Sequence, residues 1–384
     1  MKKNVVYFGV IFIEEKNALC QRAMAICKSA KSLGYTPILV GMSKSVSQKE
    51  FRKGRLSNGQ IYYEIEYPNN TGEWIRSLFT AHDAIRVFDD IDPRSIKNIV
   101  VADYRFLPMC AIKRYCKRNN VDFTIDVQDW FMPRPIWSVK TWIKMLDNFC
   151  RLRILYPSVE RKICISRGFA TMYKKTSKLA LLPGTTDPTE DKWNSEQYKK
   201  NKEKIVLSFA GRPGKHCEKE KIDWVMRAIY ELRDIKRIEF HVAGITKDEF
   251  LADNPGLKKY AEQDEIVFYG NLTHEECVNL IIKSDFTVLI RPNNKLSNYG
   301  FSTKISESFA CGTPIIATTT SDIREYIVDM RNGLVTECNY QSVKNALKKI
   351  CALKSADIEE MHIYTKLNNP LAFSCFDEEL RKVL

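Results

Sequence analysis

The stretch of this 384-residue chain best equipped for chemistry runs from Asn298 to Ala317, NYGFSTKISESFACGTPIIA. A loop carrying Gly300 enters a helix at Ser302 or Thr303, where unpaired first-turn amides and the positive end of the helix dipole make an anion site. Lys304 in that turn opposes the dipole, so a bound anion would offset both charges. Glu307, one turn beyond Thr303 on the same face, can accept two hydrogen bonds from a vicinal diol. Diphosphate plus ribose is the implied ligand. The plainer reading is a surface Lys304/Glu307 i,i+3 pair on an ordinary helix.

A second station is FAGRPGKH, Phe209 to His216, placed between a strand pattern and a helix pattern. Gly211 and Gly214 let the backbone approach a ligand, and Arg212 and Lys215 can make charge-assisted bonds to phosphate oxygens. It is not a Walker A loop, because two residues instead of four precede the Gly-Lys pair and His216 stands where Ser or Thr is needed. Turns with basic residues are also common at sheet surfaces. Arg291, at the end of a later apolar run, is a further phosphate or sugar ligand, or the partner of a surface carboxylate.

These residues need a scaffold, and apolar runs alternating with helical patterns predict α/β units on mostly parallel sheets. The first series reads as strand 5–13, helix 18–33 closed by Gly34, strand 37–41, strand 99–103, helix 107–117 with Pro108 in its first turn, strand 121–127, and a last strand at 163–166. The second reads as strand 205–210, helix 219–232, strands 237–243 and 265–269, a helix opened by a Thr273/Glu276 capping box, strand 286–290, helix 303–310, strand 314–317 and helix 341–353. The polar stretch 187–204 is a linker between domains 1–186 and 205–360, and 361–384 is a C-terminal helical segment that crosses back to the first domain. Two doubly wound, Rossmann-like domains facing a central cleft follow, with ligands at the carboxyl ends of the strands.

Composition narrows the classes. At this length roughly two compact units are expected, and 44% hydrophobic with 28% charged residues excludes a disordered chain and a polytopic membrane protein. The longest apolar run, Val5 to Ile13, is well short of the about 18 to 20 residues that span a bilayer. Lys2 and Lys3 precede it as in a signal peptide, but Glu14 and Glu15 follow directly, so it reads as a buried strand. Twelve cysteines without a C-x-x-C pair indicate a reducing cytoplasm, and neither they nor the five histidines show metal spacing. No metal and no cofactor are expected. Asp90-Ile-Asp92 has D-x-D form, yet before Pro93 it reads as a turn.

The GFSTKISESFACGTPII stretch resembles the donor-site signature of the retaining nucleotide-sugar glycosyltransferases of the GT-B fold (group 1, family 4-like) found in bacterial polysaccharide assembly. Glu307 matches the second glutamate of the family's pair, which holds the nucleotide ribose; the first would fall at Tyr299. AGRPGK resembles the family's phosphate-binding turn, and LLPGTTD, 181–187, with Lys192-Trp193 resembles the lead into the second domain. Asp126 and Asp129, in DVQDWF, resemble the Asp-Val-x-Glu-Trp-aromatic segment of some members, where such residues line the acceptor side; a helix cap is the other reading. Asn17 and Arg22 resemble the family's Asn-Ala...Arg pattern, with Glu14-Glu-Lys16 in place of a glycine-rich loop. The resemblance implies transfer of a sugar from a nucleoside diphosphate sugar to a hydroxyl acceptor, a lipid-linked or polysaccharide-precursor glycan, with retention of configuration. In that scheme Asp129, Arg212 and Lys215 are catalytic. Gly211, Gly214, Arg291, Gly300, Ser302, Thr303, Lys304 and Glu307 bind the donor, and Asn17, Arg22 and Asp126 stand on the acceptor side. Rival readings are a degenerate member that only binds a sugar nucleotide or a partner, motivated by Tyr299, and an epimerase or phosphorylase on the same architecture.

The net charge of +13 is local: residues 131–180 carry eleven Lys/Arg against Asp147 and Glu160, +9 of the total. No nucleic-acid module accompanies them, so nucleic acid is not the expected partner. Between 134 and 156, Trp137, Trp142, Leu146, Phe149 and Ile154 interleave with Lys140, Lys144, Arg151 and Arg153. One reading is a helix lying on an anionic membrane, which would put the protein peripherally on the inner face of the cell membrane. The other is a helix packed by its apolar face onto its own domain.

Overall fold

The computed structural model describes residues 3–13, 18–47, 50–130, 138–175, 178–194, 204–235 and 237–384. The chain forms two units, Met1–Thr185 with Phe373–Leu384, and Thr186–Ala372. The first is built on eight strands: β1 (Asn4–Gly9), β2 (Thr36–Ser43), β3 (Arg52–Arg55), β4 (Ile61–Glu66), β5 (Ile96–Ala102), β6 (Asp122–Val127), β7 (Arg161–Cys164) and β8 (Lys178–Leu181). Their order is β3-β4-β2-β1-β5-β6-β7-β8, and every pair is parallel except β3 with β4. Val5, Val6, Tyr7 and Phe8 are all buried, with no alternation, as a central parallel strand covered on both faces requires.

The second unit carries β9 (Ile205–Ala210), β10 (Ile238–Ala243), β11 (Ile266–Gly270), β12 (Phe286–Leu289), β13 (Ile315–Thr318) and β14 (Gly333–Thr336). All pairs are parallel, in the order β11-β10-β9-β12-β13-β14. That is the doubly wound order, and the winding reverses between β9 and β12. Phe209, Phe240 and Phe286 from three strands pack with Val225 and Ile229 of helix Ile222–Leu232 in its core.

Several sequence expectations shift. The first strand stops at Gly9 instead of residue 13, because the Ile11 amide bonds back to the Gly9 carbonyl (2.9 Å) and the chain leaves the ladder. The strand expected last in the first unit is followed by β8, which pairs outside it. The change of unit at 372/373 keeps helix Ser355–Leu367 whole in the second unit, whereas a boundary at 360 would cut it. Of the expected linker, residues 195–203 lie outside the described residues, and Trp193 is buried against Val278 and Ala310 of the second unit. At the end of the chain Leu380 and Val383 enter the first unit's core, and the Val383 carbonyl accepts from Asn98 Nδ2 (2.8 Å) and Thr124 Oγ1 (3.2 Å).

Candidate functional site

The reversal between β9 and β12 is where an open parallel sheet forms a ligand crevice. β9 runs directly into Gly211, whose φ of 144° suits glycine, and a Cβ there would stand 2.9 Å from Lys304 Cε. Gly244, after β10, approaches so closely that its Cβ would meet the Gly211 carbonyl oxygen at 2.6 Å. Two side-chain-free strand ends thus bring the turn against its neighbour. Beyond Gly214 (φ 81°), His216 and Cys217 are both left-handed, at 51° and 53°. Such residues cost on the order of 1–3 kcal/mol each and persist where surroundings hold them. Here the Lys219 and Glu220 amides bond to the Pro213 carbonyl (2.9 and 3.0 Å) and the Lys221 amide bonds to Ile290 O (2.7 Å) beside β12. Arg212 and Lys215 are exposed on this turn, and Arg212 Nη2 lies a loose 3.7 Å from Glu249 Oε1.

Helix Thr303–Cys311 brings the second set. Its N-cap, Ser302, makes no side-chain capping bond, so the Thr303 and Lys304 amides lack a capping acceptor while the Ile305 amide reaches the Ser302 carbonyl (3.4 Å), and Gly312 in the left-handed region ends the helix. Lys304 does not wait for an anion as the sequence suggests, nor does it pair with Glu307. Its Nζ lies 2.6 Å from Glu220 Oε1, over the Phe209 ring at 5.1 Å, and so ties the helix to the glycine turn. Glu220 is buried, and among the described residues nothing donates a hydrogen bond to its Oε2. Glu307 is partly exposed one turn on, 3.9 Å from His274 Nε2. Arg291 follows β12, buried, with its amide bonded to Thr318 Oγ1 (2.8 Å). The turn, Lys304 and Arg291 therefore gather at the β9/β12 reversal, with Gly300 and Ser302 leading into the helix.

In the first unit the sequence assignment needs correcting. Arg22 and Asp126 are 3% and 1% exposed and bind each other through two parallel bonds, Nε–Oδ2 at 2.9 Å and Nη2–Oδ1 at 2.8 Å. Arg22 Nη1 also donates to the Leu182 and Pro183 carbonyls, and Asp126 Oδ2 accepts from Tyr7 Oη (2.6 Å) and Gln128 Nε2 (2.7 Å). Burial and the adjacent carboxylate hold the Tyr7 phenol well above its usual range. The cluster is an internal strut, with no face left for an acceptor. Asp129, three residues on, is exposed just past β6. Asn17 lies outside the described residues.

Sequence reasoning missed Glu220 and His274, whose partners are 84 and 33 residues away. It also missed an open recess of about 120 Å³ in the first unit, lined by Met42, Glu66, Glu73, Asp83, Tyr104 and Arg105 at the carboxyl ends of β2, β4 and β5. Burial, then Glu73 and Asp83, push the Glu66 carboxyl above its ordinary pKa. Planar carboxylates and guanidinium beside an aromatic ring suit a hydroxyl-rich group. Among the described residues no group of three or more His, Cys, Asp or Glu could hold a metal ion.

Residues 204–353 match the family described as "Glycosyl transferases group 1". No curated protein sequence matches the chain. Among solved structures, sucrose-phosphate synthase from Thermosynechococcus elongatus is similar at 11% identity, over 99% of this chain and 98% of that one, with a TM-score of 0.67. A trehalose-6-phosphate protein from E. coli bound with UDP-2-fluoro glucose gives 11%, 100%, 99% and 0.68. Anabaena HepE in complex with UDP and glucose gives 10%, 99%, 98% and 0.64. At these identities the likeness is one of fold.

Proposed function

We propose that this chain, a group 1 glycosyltransferase of the GT-B fold, moves a sugar from a nucleoside diphosphate sugar to a hydroxyl acceptor with retention of configuration. The acceptor is a lipid-linked or polysaccharide-precursor glycan, met in the cytoplasm at the inner face of the cell membrane. The observation carrying the reading is the pairing, at the β9/β12 reversal, of a glycine turn bearing Arg212 and Lys215 with the uncapped start of helix Thr303–Cys311. Two independent anion-binding devices at one sheet end fit a diphosphate.

In the reaction the acceptor oxygen bonds to the anomeric carbon while the bond from that carbon to the diphosphate oxygen breaks. The electron pair goes to the diphosphate, which also takes the acceptor's proton. Arg212, Lys215, Arg291 and the amides at 302–304 stabilise the charge that develops there, so this reading requires no metal. Glu307 holds the ribose, and Asp129 stands on the acceptor side. The UDP ligands of two structural neighbours make UDP sugars the first donors to try. Incubation of the full chain with a panel of radiolabelled nucleotide sugars should show slow hydrolysis of one donor and transfer when a matching glycan is added. Nucleotide binding without any turnover would replace this reading by that of a sugar-nucleotide binder, which Tyr299 and the neutralised Lys304 favour.

A further inference from the structure

Helix Val139–Cys150 leaves an apolar stripe uncovered. Asp147 and the Arg151 that follows the helix anchor it to the protein beside half-buried Ile143 and Met145: Asp147 Oδ1 accepts the Phe106 amide (2.8 Å), Asp147 Oδ2 lies 3.0 Å from Arg151 Nε, and Arg151 Nη1 lies 3.1 Å from Asp103 Oδ1. Its apolar stripe faces outwards, with Val139, Trp142, Leu146 and Phe149, at i, i+3, i+7 and i+10, exposed by 77, 55, 65 and 56%, and no residue of the helix is buried. Surface helices ordinarily do the reverse. Ile154 beyond its end and Leu107, Ile75 and Phe79 are exposed too, and Lys140 Nζ over the Trp74 ring (5.0 Å) joins the segment holding Ile75 and Phe79 to the start of this helix. An apolar stripe left exposed along one helix, with further exposed apolar side chains on the neighbouring segments, marks an interaction surface.

We propose that this face docks on an anionic lipid bilayer. Lys140, Lys144 and Arg153 are exposed around it, while Asp147, the carboxylate of the helix, is held inward and Asp103 beside it is paired with Arg151, so the exposed charge of the helix is cationic. Trp142 has the amphipathic ring favoured at a membrane boundary, and lysine stems can lie along apolar surface with their ammonium groups at phosphates. A second copy of the chain is a poorer occupant, because a two-fold contact would lay this cationic rim on itself. The proposal deepens the reading of a lipid-linked acceptor by naming where the lipid is met: Arg76 and Arg105, which line the recess, are one and two residues from Ile75 and Leu107. Binding needs no turnover, so the two readings fail separately.

The test is co-sedimentation of the full chain with vesicles of phosphatidylcholine alone or mixed with phosphatidylglycerol, at low and high salt. Wild type should partition to the anionic vesicles at least tenfold better than to the neutral ones and should release as salt screens the charges. L146Q/F149Q, whose changes lie on the exposed stripe and should leave the circular dichroism spectrum unchanged, should lose that binding about tenfold while keeping nucleotide binding in solution. No vesicle binding at low salt, or binding indifferent to L146Q/F149Q, overturns the proposal. Sedimentation showing a wild-type dimer that L146Q/F149Q dissociates also overturns it, in favour of a second copy.

Discussion

Lys304 Nζ stands 2.6 Å from Glu220 Oε1, and this contact joins the first turn of helix Thr303–Cys311 to the turn after β9. Both proposed anion-binding devices thereby share one internal counter-charge. Lys304 can reach a diphosphate only by letting go of a buried carboxylate.

Removing the cation should therefore act first on stability. Lys304→Met leaves Glu220 buried beside an apolar group, and a stranded charge in a buried pair costs about 3 kcal/mol. We expect Lys304→Met to lower the urea midpoint markedly and Lys304→Met/Glu220→Met to recover most of the loss. Equal midpoints for wild type and Lys304→Met would show that the pair is not what holds the turn.

Glu307 is the residue assigned to the ribose. Hydrogen bonds to a charged group are worth roughly 1.5–3 kcal/mol, so Glu307→Ala should weaken nucleoside diphosphate binding by about tenfold or more in calorimetry, with unchanged thermal stability. Unaltered affinity removes the ribose assignment.

Arg22 and Asp126 should behave as structural residues. Breaking one side of their buried fork, as in Arg22→Met, should cost about 3–5 kcal/mol in urea unfolding, and Arg22→Lys should not restore it because an ammonium lacks the planar fork. A stable Arg22→Met protein with a raised acceptor KM would return the pair to the acceptor side.

Lys162, fully buried in β7 with its ammonium donating to the Val159 carbonyl and 5.5 Å over the Tyr173 ring, has its pKa pushed down to about 8 by burial. An unfolded lysine titrates near about 10.4. Between those values the unfolded chain binds more protons than the folded one, so stability should rise with pH from about 8 to about 10 and stay flat, for this group, below. Lys162→Met should remove that rise and stabilise the protein at neutral pH by about 2 kcal/mol. Urea midpoints at both ends of the window decide it; the same slope in Lys162→Met would sink the assignment.

What the sequence revealed, it revealed through local chemistry. Strand β9 appears at its predicted limits because IVLSFA is apolar throughout between a polar tract and a Gly/Pro turn. The Thr273/Glu276 capping box forms both its bonds, since its partners are three residues apart. β3, RKGR, has no apolar signal and exists only by pairing with β4. Pairs such as Arg22–Asp126 and Lys304–Glu220 bridge 104 and 84 residues, which no spacing rule reports. Helical periodicity shows that 139–150 has an apolar stripe. It cannot say which way the stripe points, and that was settled by Asp147 and Arg151 anchoring the opposite side.

Residues 373–384 give the first unit its last core side chains, Leu380 and Val383, so that unit is split around the second. On a ribosome adding about 5–20 residues per second, the sheet from β1 to β8 emerges long before the segment that covers it. The second unit is continuous and can fold as soon as it is made. The first unit therefore receives its last segment only after the whole of the second has been made. The unfinished first sheet, with helix Ala18–Ser32 lacking its C-terminal cover, is the species a chaperone or protease would meet.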